Sequence, residues 1–400
     1  MGKTTACEPE QSPLKLRHAE KQFELRSVGI GGLSGHTLIV GGGVSGLSVA
    51  LVLLQRGHQV TVLERGHTGG ESSWAGGGIL SPLLPWDYGA SVSALALRSM
   101  AAYGEWITAI EAVSQLDTEF WRCGLLAMAV TVPEQALTWC TQQGMVATRE
   151  VPVSLCLSTV AGEALPLWLP EVAQVRNPRL VAALRAAVTK LGGTIHENCT
   201  VKGLDAAGGV ATTLQTTAGT LTADMIVIAT GAWSGLSLTN LPAVPHVRPI
   251  RGQMLLFKLE PGVLDTILYR QGLYLIPRRD GHILVGSTLE DAGFDKSTDA
   301  VTLARLHREA TELLPVLAGV QPIRHWAGLR PGSPDNIPII DRHPDFDNVF
   351  INVGHYRYGV TLAPASAELL VDLMEGRTPA LDPAPYRWAA ALQRRWGDTL

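Results

Sequence analysis

Three glycines and one carboxylate pose the first chemical question. Gly41, Gly43 and Gly46 stand in the order Gly-x-Gly-x-x-Gly, and Glu64 follows about 20 residues on. Residues of these types at this spacing hold a dinucleotide. The first glycine permits a tight turn, the second lets backbone approach a pyrophosphate, and the third lets a helix pack closely on a strand. Glu64 would accept hydrogen bonds from the adenosine ribose. Val44 and Ser45 open the helix whose free N–H groups would face the phosphates.

That chemistry needs a strand, turn, helix and second strand to position it. Residues 37–40 and 59–63 read as the strands and residues 47–54 as the helix. From Ser27 to Leu54 nothing is charged unless His36 protonates, which is long enough to suggest a membrane span. The glycines crowding its middle and the complete fingerprint around them make it the floor of a nucleotide site instead.

The chain has 400 residues, 46% hydrophobic and 17% charged, enough for a large core or two closely connected domains. Its net charge of −4 gives no hint of a nucleic-acid surface. Cys7, Cys123, Cys140, Cys156 and Cys199 are scattered, with no Cys-x-x-Cys pair and no histidine cluster, so neither a disulfide framework nor a metal site is expected. A reducing cytoplasm is the default location. Residues 1–36 lack the apolar stretch of a secretory signal and read as an extension joined by a glycine-rich linker.

Further along, Glu71 to Pro82 read as a glycine-rich loop. Residues 91–116 have helical periodicity, Asn177-Pro178 opens a helix over 180–191, and 194–196 begin a strand. Residues 222–234 read as a strand ending in a small-residue turn, a second meeting point of backbone and cofactor. Short β-like pieces fill 247–285, helices are expected at 300–317 and 363–375, and a strand at 348–353. The expected architecture is mixed α/β, with a second, β-rich domain inserted twice into the first and a site at the seam between them.

The fingerprint with Glu64, Ser73-Trp74-Ala75-Gly76-Gly77-Gly78 and Ala229-Thr230-Gly231-Ala232-Trp233-Ser234 together resemble flavin oxidases of the D-amino-acid oxidase superfamily. Arg248-Pro249-Ile250-Arg251-Gly252-Gln253, Trp326-Ala327-Gly328-Leu329-Arg330-Pro331-Gly332, Gly354-His355-Tyr356-Arg357 and Leu362-Ala363-Pro364-Ala365-Ser366 are most similar to the glycine oxidase branch that feeds thiamine biosynthesis. The match runs from about Thr37 to Tyr386. It implies FAD in a Rossmann-like domain (37–88, 160–245 and 325–388) interwoven with an antiparallel-sheet substrate domain (89–159 and 246–324). It also implies oxidation of glycine or another small amine to an imine, with O2 reduced to hydrogen peroxide. The imine would hydrolyse to a keto acid and ammonia or, as dehydroglycine, enter thiazole synthesis.

The resemblance assigns Arg330 to the substrate carboxylate, a task that suits a planar guanidinium. Pairing of Arg330 with Asp335 or Asp341 is the bland alternative. Tyr274 would share the carboxylate or simply pack in its sheet, and Arg357 would stand at the flavin edge beside the substrate. Cofactor contacts fall to Gly41, Gly43, Val44, Ser45, Gly46, Glu64, Arg65, Ser72, Ser73, Ala75, Gly76, Gly77, Val201, Thr230, Gly231 and Trp233. At the far end they fall to Gly354, His355, Tyr356, Arg357, Tyr358 and Gly359. Tyr358 departs from the family, which usually carries asparagine there, so the identity of the amine stays open. No cysteine stands near Gly328, where sarcosine-oxidising relatives bond the flavin, so FAD is expected to be non-covalent.

Trp74, Trp86, Trp121 and Trp326 read mostly as packing residues, and His36, His58 and His67 as surface or turn histidines. Three other functions stay open: a dehydrogenase passing electrons to a quinone, a flavin enzyme acting on modified tRNA, and a plain NAD-binding module. The family is often oligomeric, but no stretch of the sequence marks an interface.

Overall fold

In the computed structural model, residues 35–151 and 166–397 are described. The expected extension falls almost wholly outside them, as do Cys7, Cys156 and the boundary placed at 159/160. The strand His36–Val40 lies inside a six-stranded sheet, flanked by Gln59–Leu63 and Met225–Ile228 in parallel register. Thr194–His196 extends the sheet beyond Gln59–Leu63, Val349–Val353 extends it beyond Met225–Ile228, and Ile339–Arg342 closes that edge as its one antiparallel strand.

A parallel strand covered on both faces must be apolar throughout, which is why this run carries no charge. Side chains alternate across the sheet. Ile39, Val62, Val227 and Phe350 face the helices Val44–Gln55, Ala90–Ser114, Asn177–Lys190 and Gly359–Met374. Leu38, Val40, Ile226 and Ile228 face the other way, toward Leu204 and Leu214 of a three-stranded meander. The helix after the fingerprint spans 12 residues, far short of the ~20 a membrane requires. Among the described residues no helix is long and apolar enough to cross a membrane.

The second sheet has seven strands in the order Arg324–Gly332, Arg248–Lys258, His282–Gly286, Leu273–Pro277, Ile267–Arg270, Leu125–Met128 and Leu167–Leu169. It departs from the expected antiparallel sheet at one pair, Ile267–Arg270 with Leu125–Met128, which run parallel. These two strands are far apart in sequence, so no hairpin fixes their relative direction. Leu167–Leu169 and Arg324–Gly332 belong to this sheet, although the sequence boundaries grouped both with the nucleotide-binding segments. Helix Ala300–Leu313 covers one face and is capped by Asp299, which accepts from the Thr302 N–H at 2.8 Å.

Two local expectations need correction. The helix expected at 363–375 runs from Gly359 to Met374, with Pro364 inside it, and the short helix Trp388–Gln393 follows. Proline has no N–H to donate to the Val360 carbonyl. The Tyr103 hydroxyl donates to that carbonyl instead, at 3.1 Å, so the helix passes through the proline. His58, read as a surface or turn histidine, is buried. It meets Glu375 at 2.9 Å beside Arg56, which reaches Glu375 at 2.6 Å and Asp372 at 2.8 Å. The turn that the sequence marked points this histidine inward, against the Gly359–Met374 helix.

Candidate active site

One cavity of about 860 Å³ lies between the six-stranded and seven-stranded sheets. That is near the top of the range of roughly 300–1,000 Å³ usual for ligand pockets. Its floor is the fingerprint turn. Gly41 has φ +115°, and a methyl there would stand 2.3 Å from the Ala229 carbonyl oxygen, so only glycine fits. Both carboxylate oxygens of Glu64 are engaged, accepting from the N–H of Gly42 at 2.8 Å and of Gly66 at 2.9 Å. The Val44 N–H donates to the Ser73 hydroxyl at 2.9 Å, tying the helix start to the glycine-rich loop. Arg65 lies 3.5 Å from the centre of the Trp233 ring, a cation–π contact at the rim.

The stretch expected to be a glycine-rich loop begins as a single helical turn, Ser72–Ala75, before opening into Gly76–Gly78, and it is fastened from the second sheet. Ser72 donates to the Leu329 carbonyl, and the Trp326 indole donates to the Ala75 carbonyl at 3.1 Å. Arg278, buried behind the loop, donates to the carbonyls of Gly77 at 2.8 Å and Val175 at 2.9 Å, and to the Gln174 side chain. Burial pushes its guanidinium down to about 10, against the opposing pull of Glu119. A methyl on Gly77 would meet Ile276 at 2.5 Å and the Tyr274 ring at 3.4 Å, so the loop backbone lies directly against the strand carrying Tyr274.

Arg330 projects from the strand Arg324–Gly332 across Gly252, where an added methyl would lie 2.1 Å from its Nη1. Nη1 donates to the carbonyls of Thr288 at 3.1 Å and Arg251 at 3.3 Å, and Nη2 donates to the Ser287 hydroxyl at 2.5 Å. Arg330 forms no ion pair among the described residues, so the alternative with Asp335 or Asp341 does not hold. Asp341 instead accepts from the Trp388 N–H at 2.9 Å and lies 3.5 Å from Arg387. Tyr274 is opposite Gly286 in register, one residue from Ser287, and its hydroxyl has no hydrogen-bond partner among the described residues. A guanidinium without a counterion and a free phenol thus share one wall of the cavity.

The far wall comes from the turn into the Gly359–Met374 helix. His355 is buried with Nδ1 3.3 Å from the Ser45 hydroxyl, and burial pushes its imidazole down to about 4. It is therefore neutral at ordinary pH. Tyr358 donates to the Tyr88 hydroxyl, and burial foremost pushes its phenol well above the usual range.

Every residue assigned above to cofactor or substrate lines this cavity except Gly46 and Gly354. Gly46 stands behind the floor, where a methyl would meet the Gly41 carbonyl oxygen at 2.0 Å, and the Gly354 carbonyl accepts from the Ser333 hydroxyl at 2.5 Å. Trp74, Trp86, Trp121 and Trp326 do not line it; Trp74 and Trp326 pack edge to face, 5.7 Å between centroids. Sequence reasoning missed Asp87, Tyr88, Asn177, Asn352 and Ser287 in the lining, and Arg278 behind it. Asn177 and Arg278 carried a signal only as neighbours of a helix start and of a strand end. Among the described residues no cluster of side chains could hold a metal, and Cys123, Cys140 and Cys199 are free and buried.

The family profile described as FAD dependent oxidoreductase (DAO) matches residues 36–373. The chain belongs to this family. It is 43% identical to the glycine oxidase of Pseudomonas putida over 364 residues, 88% of this chain and 98% of that protein. It is 33% identical to the bifunctional protein ThiO/ThiG of a Nostoc species, covering 84% of this chain and 52% of that protein. The crystal structure of glycine oxidase from Geobacillus kaustophilus superposes with a TM-score of 0.81 at 28% identity, covering 91% of this chain and 99% of that one.

FAD is the cofactor of this DAO-family chain, and the cavity suits it. Asn177 and Asn352 have buried amide atoms without partners, as do Nε2 of His355 and Nε of Arg357. All four residues line the cavity. Buried polar atoms are rarely left unpaired unless a ligand or water satisfies them.

Proposed function

We propose that this chain oxidises glycine, with other small amines as lesser substrates, in the cytoplasm. The imine formed would hydrolyse to glyoxylate and ammonia, or leave as dehydroglycine for thiazole synthesis in thiamine formation. The observation that carries the reading is Arg330, a guanidinium with no carboxylate partner among the described residues, which faces the same cavity as a dinucleotide floor. The relatives' names favour O2 as acceptor over the quinone and tRNA readings.

The roles follow from the geometry. Gly41, Gly43, Val44 and the helix start would take the pyrophosphate, and Glu64 the adenosine ribose, with Val201, Thr230, Gly231 and Trp233 along the adenosine half. The loop 72–77 and residues 355–359 would flank the flavin ring, held without a covalent bond. When bound, the flavin accepts the electrons of the substrate C–H bond and passes them to O2. The protein supplies position and charge. Arg330 would bind the substrate carboxylate through its fork and Tyr274 would donate to the same carboxylate. Neutral His355 adds no charge beside the ring, which leaves Arg357 as the cation at that wall. The six-stranded and seven-stranded sheets would form the two domains, with the cavity at their seam.

Incubation of the purified protein with glycine and FAD in air tests this. Equal yields of glyoxylate, ammonia and peroxide support it. Reduction of a dye with no peroxide would contradict the assignment of oxygen as acceptor.

A further inference from the structure

The proposed function leaves open what limits the substrate to a small amine. Tyr358, the N-cap residue of helix Gly359–Met374, is 4% exposed and lines the cavity. Its phenol donates to the Tyr88 hydroxyl, and the two rings meet edge to face at 89° with centroids 5.1 Å apart. Edge-to-face packing and a hydrogen bond together fix both rings more firmly than either alone.

Tyr88 ends a stretch, residues 83–88, that contributes to the cavity lining. Leu83, Leu84 and Asp87 of this stretch also line the cavity, and it carries the single turn Pro85–Asp87 just before helix Ala90–Ser114. The segment has little regular structure of its own, so its position depends on what it is fastened to. Tyr269, which lines the cavity beside Tyr88, is the direct cross-strand partner of Tyr274. Tyr88, Tyr269 and Tyr358 thus form an aromatic wall that reaches, through Tyr269, the strand pair carrying the tyrosine that would meet the substrate carboxylate.

We propose that the Tyr88–Tyr358 pair determines specificity, drawing residues 83–88 onto the helix start so that the reacting carbon of the substrate can carry hydrogen but little else. This rests on the reading of the chain as an amine oxidase. Glycine and its N-methyl derivative fit such a space, and an amino acid with a side chain on the reacting carbon meets the aromatic wall. An extra methyl in a tight pocket is worth about 10–200-fold in discrimination.

The test uses the holoenzyme with glycine, sarcosine and D-alanine. In Tyr358→Phe the ring stays and the donor is lost, and in Tyr88→Phe the acceptor is lost. Each variant should raise the ratio of kcat/KM for D-alanine to that for glycine about tenfold, through a lower KM for D-alanine. The double variant should gain no more than either alone, because both changes break the same bond. If only one variant folds, its ratio alone decides. A wild-type enzyme that oxidises glycine, with variants whose ratio is unmoved, overturns the proposal while leaving the function standing. A loss of kcat common to all three amines overturns it too, since that is the mark of a merely structural bond. A wild-type holoenzyme that oxidises none of the three overturns the proposed function and the pair's role with it.

Discussion

Arg330 donates to the Ser287 hydroxyl at 2.5 Å, and Ser287 follows Gly286, the register partner of Tyr274. The guanidinium and the phenol are therefore held against one short piece of backbone, and the guanidinium has no ion pair among the described residues. Behind Ser287 the support continues: the Thr288 hydroxyl accepts from the Gln253 N–H at 2.8 Å and donates to Glu290. Gln253 is fully buried and also bonds Asp299 at 3.0 Å. Replacing Arg330 with alanine removes the partly buried guanidinium that would bind the substrate carboxylate. Losses of this kind are about 2–5 kcal/mol, or one to several orders of magnitude in affinity. The expected result is a KM for glycine raised at least tenfold, with the bound FAD and its visible spectrum unchanged.

The fastening of the glycine-rich loop predicts a stability effect. Arg278 satisfies the carbonyls of Gly77 and Val175 and the Gln174 amide oxygen from a buried position. Arg278→Leu leaves three acceptors without a donor, at about 1–3 kcal/mol for each that water cannot reach. Denaturant unfolding should show a loss of at least about 2 kcal/mol. FAD should dissociate more readily as well, because Gly77 carries the stretch that would flank the ring.

Glu64 binds two backbone N–H groups with its two oxygens, and hydrogen bonds to a charged group are worth about 1.5–3 kcal/mol each. Glu64→Ala should therefore weaken FAD binding by one to two orders of magnitude in a fluorescence titration. Glu64→Gln keeps one acceptor and should fall between the two.

A pH effect follows from His355. Its imidazole is pushed down to about 4 by burial, whereas an unfolded histidine titrates near about 6.5. Between these values the unfolded chain takes up a proton that the folded chain refuses, so stability is full above pH ~6.5 and is lost as pH falls toward ~4. Burial lowers His343 and His325 in the same direction. Chemical unfolding of the apoprotein should show this decline, and His355→Gln should lessen it. A His355→Gln protein that declines as steeply as the wild type would contradict the assignment.

The fingerprint was legible because it is local. Gly41, Gly43, Glu64 and the two strands fall within one short stretch, and each residue type there has a steric or hydrogen-bonding reason. The walls were less so. Tyr88 and Tyr358 are 270 residues apart and meet only because helix Ala90–Ser114 packs against helix Gly359–Met374. Nothing in the run from Pro82 to Gly89 marks a wall of a site. The parallel pair in the seven-stranded sheet was hidden for the same reason, since both neighbours are set by tertiary packing and not by a turn. Arg278 reads in sequence as one of two adjacent basic residues at a strand end, and only the fold shows that it faces inward while Arg279 reaches the Phe120 carbonyl near the surface.

The most direct test of glycine oxidation is anaerobic addition of glycine to the purified yellow holoenzyme, followed by its visible absorption. The expected result is loss of the oxidised flavin band on adding glycine, its return on admitting air, and glyoxylate in the filtrate. A yellow protein whose band is unmoved by glycine, sarcosine or D-alanine would contradict the assigned reaction. A colourless protein that takes up no added FAD would contradict the cofactor assignment as well.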